Sequence, residues 1–206
     1  MANLTAAEVV ERARSLGAGP ARRIVGIVGA PGAGKSTLAA RIVDAAGRSA
    51  VVVPMDGFHL PQGELRRLGR RERMGAIDTF DAKAYRAVLQ RLRDDDGPVR
   101  APGFDRTVEE PVPKAITVPT PCRLVITEGN YLLDDEPPWP AIRQVLDEVW
   151  FVDIDESTRL DRLVQRHVEF GKTPAEAAAW VQDVDEPNAA RVLAQAGKAD
   201  VVVSGA

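Results

Sequence analysis

The sequence predicts an α/β fold in one domain, residues 1–206, with a five-stranded parallel sheet flanked by helices. Three observations carry this. Short apolar, β-branched runs at 23–28, 50–55, 124–127, 149–154 and 201–203 read as buried strands. Segments with helical spacing of apolar residues separate them, which is the pattern of a sheet wrapped by crossover helices. Between the first strand and the first crossover helix lies Gly-Ala-Pro-Gly-Ala-Gly-Lys-Ser, residues 29–36. That spacing, G-x-x-x-x-G-K-[ST] between a strand and a helix, is the P-loop that cradles a nucleoside triphosphate, so the domain is of P-loop NTPase type.

Each element has a local reason. Thr5 with Glu8 forms a capping box opening a short helix (about 5–16), ended by Gly17, Gly19 and Pro20. After the P-loop, Leu38, Ile42 and Val43 mark a helix that stops at Gly47. Strand 50–55 delivers Asp56, Gly57, Phe58 and His59 at its carboxyl end, where ligands bind in open α/β sheets. Residues 61–80 read as irregular, with five arginines from Arg66 to Arg73 whose plainest role is a solvated or ion-paired face. Asp81 caps a helix with Tyr85, Val88, Leu89 and Leu92 inward, and Asp94, Asp95 and Asp96 form a solvated turn after it. Six prolines between Pro98 and Pro121 exclude central strands and predict a loop or edge hairpin, a natural place for substrate contacts. Strand 124–127 ends at Glu128. Pro137-Pro138-Trp139 starts a helix with Trp139, Ile142, Val145 and Leu146 inward. Asp155 opens a helix bearing Arg159, Arg162, Arg166 and His167. Thr173-Pro174-Ala175-Glu176 is a second capping box, and Pro187 is expected to interrupt that helix before Asn188 restarts it.

Composition narrows the function classes. A net charge of −3 creates no field that would gather nucleic acid or anionic membrane. No stretch approaches transmembrane length, and the lone Cys122 fits a reducing compartment. The expectation is a cytoplasmic protein acting on a small hydroxylated molecule, with no nucleic-acid or membrane partner.

The nucleotide-binding candidates are Gly29, Ala30, Pro31, Gly32, Ala33, Gly34, Lys35, Ser36 and Thr37. The glycines let the backbone approach phosphate oxygens, Lys35 adds a charge for the β- and γ-phosphates, and the Ser36 hydroxyl is placed for Mg²⁺. Glu128, following an apolar strand, is the second metal candidate. Phosphoryl transfer to an alcohol needs a carboxylate to take the hydroxyl proton, and Asp56 is the candidate, beside the imidazole of His59. His59 fits a buried structural histidine equally well. Arg162 and Arg166, four apart on one helical face, are candidates to close over the phosphates; Arg159 is assigned to surface pairing. No Asn-Lys-x-Asp occurs, so the usual guanine-reading element is missing.

These motifs together resemble the uridine kinase, phosphoribulokinase and bacterial pantothenate kinase group of P-loop kinases. The resemblance covers the P-loop, Pro54-Met-Asp56-Gly-Phe58-His59, Gly75 to Asp81, Ala101-Pro102-Gly-Phe104-Asp105, Glu128-Gly129-Asn130-Tyr131-Leu132, and Arg159 to His167 with Gly171-Lys172. It runs from about residue 22 to 190. The Asp-Gly-Phe-His and Glu-Gly-Asn-Tyr forms are similar to a branch that includes sugar kinases described as fructokinases. The resemblance implies ATP and Mg²⁺ as cofactors, Asp56 as base, Glu128 near the metal and Arg166 on the phosphates, with residues 156–173 as an arginine lid. It makes Asp56, His59, Asp105 and Tyr131 the acceptor-site candidates, and a homodimer is common among such kinases. His167 stands where uridine kinases carry an aspartate, and Arg106-Thr-Val-Glu109 replaces their nucleoside-binding histidine motif.

The leading expectation is a Mg²⁺-ATP-dependent phosphotransferase with an alcohol acceptor such as a sugar, a nucleoside or a pantothenate-like molecule. Two others stay open: an ATP-binding regulatory module that phosphorylates no metabolite, and a nucleotide kinase with an already phosphorylated acceptor.

Overall fold

A computed structural model describes residues 2–95 and 97–204; Asp96, placed by sequence in the turn after the second crossover helix, lies outside them. The core is a parallel sheet of six strands, not five. In chain order these are β1 (Ala2–Thr5), β2 (Arg23–Val28), β3 (Ala50–Val52), β6 (Leu124–Glu128), β7 (Glu148–Asp153) and β8 (Val201–Ser204), while β4 (Val99–Asp105) and β5 (Glu110–Val118) form a separate antiparallel hairpin. The additional strand is β1, which pairs in parallel with β8 at the sheet edge. Its residues are mostly exposed, and Asn3 and Thr5 break any apolar run, so no hydrophobic signal marks it.

The sheet order is β1-β8-β7-β2-β6-β3. The chain leaves the central β2 in one direction to reach β3 and β6, and in the other to reach β7 and β8. The strand order therefore reverses at the carboxyl end of β2, where open α/β sheets bind ligands. Both sheet faces are covered, as parallel strands require. Along β2, Ile24 and Val28 join one core cluster, and Val25 and Ile27 the other. In β7, Val149 and Phe151 alternate in the same way with Trp150 and Val152. One face is covered by α1 (Ala6–Gly17) and α2 (Lys35–Ala46), the other by α4 (Ala82–Asp94), α5 (Trp139–Arg143) and the hairpin.

Capping follows the sequence closely. Thr5 and Glu8 make a reciprocal capping box, Asp81 accepts from the Ala84 amide, and Asp155 accepts from the Thr158 amide to start α6 (Glu156–Glu169). Residues 61–80 are more ordered than expected: Gln62–Arg67 form a short helix, α3, followed by two 3₁₀ turns. Arg67, Arg70, Arg71 and Arg73 in this segment are ion-paired, to Glu64, Asp78, Glu109 and Asp78. The expected break at Pro187 is not a break. The helix begun at Pro174 (α7, Pro174–Trp180) runs through a π turn, Val181–Asp185, into α8 (Glu186–Leu193). The wider turn absorbs the proline, whose ring and missing N–H disfavour a regular α-helical interior. Among the described residues no helix is long and apolar enough to cross a membrane.

Candidate active site

The P-loop leaves β2 at the switch point. Gly32 and Gly34 take φ of +82° and +94°, a region costly for any residue with a Cβ. Gly34 caps α2 without a side-chain hydrogen bond, so the first amides of that helix are available to an anion. A Cβ on Gly32 would also come within 2.8 Å of the Arg159 carbonyl and of Leu163. The loop is thus packed against α6 as well as shaped for phosphate.

Lys35 donates to the carbonyls of Gly29 (2.9 Å) and Ala30 (3.1 Å). Desolvation pulls its ammonium down to about 8, partly opposed by the charges of Glu128 and Asp56. Ser36 Oγ donates to Glu128 Oε1 at 3.1 Å. Glu128 is buried, and its carboxyl is pushed above the usual range by that burial and then by the Asp56 charge. An acid held at this cost beside a loop hydroxyl suits a divalent cation, which would repay the desolvation. Mg²⁺ uses few protein oxygens and completes its shell with phosphates and water, so a serine and one carboxylate fit it.

Asp56 lies past the end of β3, in a 3₁₀ turn spanning Met55–Phe58. Its Oδ2 accepts from Arg106 Nη2 at 2.8 Å. Arg106 comes from the tip of the β4–β5 hairpin and lines the same pocket as Lys35, Ser36, Asp56 and Glu128. The sequence marks Arg106 only as part of the segment replacing the nucleoside-binding histidine motif and gives it no role. Its signal was only a cation one residue beyond Asp105, and fold alone brings the two segments together.

His59 lies with its ring 4.0 Å from that of Phe80 and 4.9 Å from that of Phe104, and Nδ1 bonds to the Asp56 carbonyl at 2.9 Å. Burial holds the imidazole below its ordinary range. The hairpin is pressed onto this turn. A Cβ on Gly57 would meet the Pro102 carbonyl oxygen at 2.4 Å, so only glycine permits the approach.

Helix α6 and the residues after it contribute unevenly. Arg166 lines the pocket, is largely desolvated, and has no side-chain hydrogen bond to any described residue. Arg162, one turn earlier, is exposed and does not line the pocket. Arg159, expected at the surface, is instead 3% exposed, donates to Glu186 Oε1 at 2.6 Å, and carries a buried Nη1 with no partner among the described residues. His167 Nε2 bonds to Asp185 Oδ2 at 2.7 Å, and Lys172 Nζ lies 4.5 Å from the Trp180 ring centre.

Two acceptor candidates fall elsewhere. Asp105 is exposed, with Oδ1 accepting from the Thr107 amide in the hairpin turn. Tyr131 is buried, its hydroxyl donating to the Gly75 carbonyl (2.6 Å) and lying 2.9 Å from the Asn188 side-chain amide. It ties the loop after β6 to α8, whereas its neighbours Gly129 and Asn130 line the pocket.

The profile of the "Phosphoribulokinase / Uridine kinase family" matches residues 24–205. The chain belongs to this family. It is 33% identical over 182 residues to a "Putative uridine kinase" of Schizosaccharomyces pombe, covering 84% of this chain and 77% of that one. It is 38% identical over 133 residues to an "ATP-dependent kinase-like protein" of Aspergillus versicolor, covering 61% and 77%. Among solved structures, the "putative fructose transport system kinase" of Silicibacter sp. TM1040 superposes with a TM-score of 0.87 at 34% identity, covering 97% of this chain and 98% of that one. The fold and the P-loop of this chain are therefore those of a kinase family that uses ATP.

Proposed function

We propose that this chain transfers the γ-phosphoryl group of Mg²⁺-ATP to a hydroxyl of a small metabolite, with Asp56 as the general base. The observation that carries the reading is one pocket lined by a P-loop lysine, a serine–carboxylate pair, an unpaired arginine and a second carboxylate. A module that only binds ATP has no acceptor proton for that second carboxylate to take and does not need it paired with Arg106.

In this reading the P-loop amides and Lys35 hold the β- and γ-phosphates. Ser36 and Glu128 would hold Mg²⁺, which when bound would neutralise phosphate charge. The acceptor hydroxyl reaches Asp56. Its oxygen bonds to the γ-phosphorus as the bond to the β–γ bridging oxygen breaks, its proton passes to Asp56, and ADP departs. Arg166 meets the charge on the group in transfer, and the lid excludes water that would otherwise compete as acceptor. Phe80, Phe104 and the neutral His59 provide an aromatic wall for the carbon skeleton.

ADP release measured at fixed Mg²⁺-ATP against sugars, nucleosides, polyols and hydroxy acids tests this. Acceptor-dependent release, with mass added to the acceptor, supports the reading; a flat response across the panel opposes it.

A further inference from the structure

We propose that the phosphoryl acceptor carries an acid group, a carboxylate or phosphate, and that Arg106 is the residue that recognises it. This rests on the kinase reading and adds the chemical class of substrate. For Asp56 to take a proton, the acceptor hydroxyl must come within hydrogen-bond reach of a carboxylate on which the Arg106 guanidinium already sits at 2.8 Å. The acceptor therefore arrives against Arg106 as well as Asp56. A neutral acceptor leaves the guanidinium on the base and competes with it for the carboxylate. An anionic acceptor offers Arg106 a second, bidentate partner and frees Asp56 toward the hydroxyl. Once Asp56 has accepted the proton it no longer balances Arg106, and a substrate anion continues to do so.

Arg106 is not needed to hold the hairpin. The Gly57–Pro102 approach and the His59–Phe104 ring contact fix the stem to the turn bearing Asp56. Gln62 Nε2 donates to the Val108 carbonyl at 2.6 Å, and Arg71 pairs with Glu109, fixing the tip to α3 and the segment after it. Asp56 is the one hydrogen-bond partner of the Arg106 side chain among the described residues, and that side chain is 44% exposed. The other basic side chains of the pocket are engaged: Lys35 with the loop carbonyls, His167 with Asp185, Lys172 on Trp180. The kinase reading assigns Arg166 to the phosphates of ATP.

The test compares acid acceptors with neutral counterparts in the wild-type chain and in Arg106→Gln and Arg106→Lys. The pairs are gluconate and glucose, glycerate and glycerol, pantothenate and pantothenol for carboxylates, and uridine 5′-monophosphate and uridine for phosphate. The expected result is that, in the pair used, wild type favours the acid by about 100-fold or more in kcat/KM. Arg106→Gln should shrink that preference by about 10- to 100-fold, the range of one charged hydrogen-bond pair, with KM for ATP and the melting temperature unchanged. Arg106→Lys should keep part of the preference. A neutral member used as well as its acid partner overturns the inference and leaves the kinase reading standing. A preference that survives Arg106→Gln overturns the role of Arg106. No acceptor-dependent ADP release with any member removes the kinase reading, and this inference with it.

Discussion

Ser36 Oγ lies 3.1 Å from Glu128 Oε1, joining the first turn of α2 to the last residue of β6. Glu128 is buried, and its raised carboxyl records the cost of holding charge there. Glu128→Gln should raise the Mg²⁺ concentration needed for half-maximal ADP release by about 10- to 100-fold. Thermal stability should change little, because relief of a buried charge is offset by the loss of its attraction for buried Lys35. Magnesium titrations and melts of the two proteins check this. Unchanged magnesium dependence would remove Glu128 from the metal site.

Gly57 is the contact point between the base and the hairpin. Gly57→Ala must displace β4, because the new Cβ would lie 2.4 Å from a backbone oxygen. The predicted consequence is a rise in acceptor KM of about tenfold or more with ATP affinity nearly intact, since a shift near 1 Å in positioning costs up to about 100-fold. Equal losses in ATP and acceptor binding would mean the disturbance spreads to the P-loop.

Arg166→Ala should lower kcat more than it raises KM for ATP, if the guanidinium mainly meets charge that develops in transfer. Steady-state kinetics with a good acceptor decide it. A rise in KM with kcat unchanged would assign Arg166 to ground-state nucleotide binding.

Burial keeps His59 neutral in the folded protein at a pH where the unfolded chain protonates it. Between the depressed folded value and about 6.5 the unfolded state binds more protons, so stability rises with pH across that window and is lost on acidification through it. Wild type should therefore lose unfolding free energy from pH 7 towards 5 more steeply than His59→Gln, by at most about 1.4 kcal/mol per pH unit in denaturant titrations. Parallel curves would mean that His59 does not titrate differently on folding.

Much of this site was legible because the motifs are local. The P-loop, Asp56 and Glu128 each follow an apolar strand at its carboxyl end, and a parallel sheet brings such ends together whatever the detailed topology. Arg106 was not legible, since its position depends on how a proline-rich hairpin folds back over the Asp56 turn. Arg159 was misjudged for a related reason. A helical arginine is usually solvated, and its burial follows from the close packing of α6 on Gly32, which spacing does not reveal. Strand β1 escaped because edge strands need little hydrophobic patterning, and the π turn because a proline in a helical segment reads as a stop.

The central claim is that Asp56 removes the proton of an acceptor hydroxyl, and single-turnover phosphoryl transfer by Asp56→Asn tests it most directly. Asparagine keeps the size of the side chain and a carbonyl for Arg106, but it cannot carry a proton away. With the best acceptor of the panel and saturating Mg²⁺-ATP, the account predicts a transfer rate lower by about 10² to 10⁴, with calorimetric ATP affinity and melting temperature close to wild type. Transfer at the wild-type rate would contradict it.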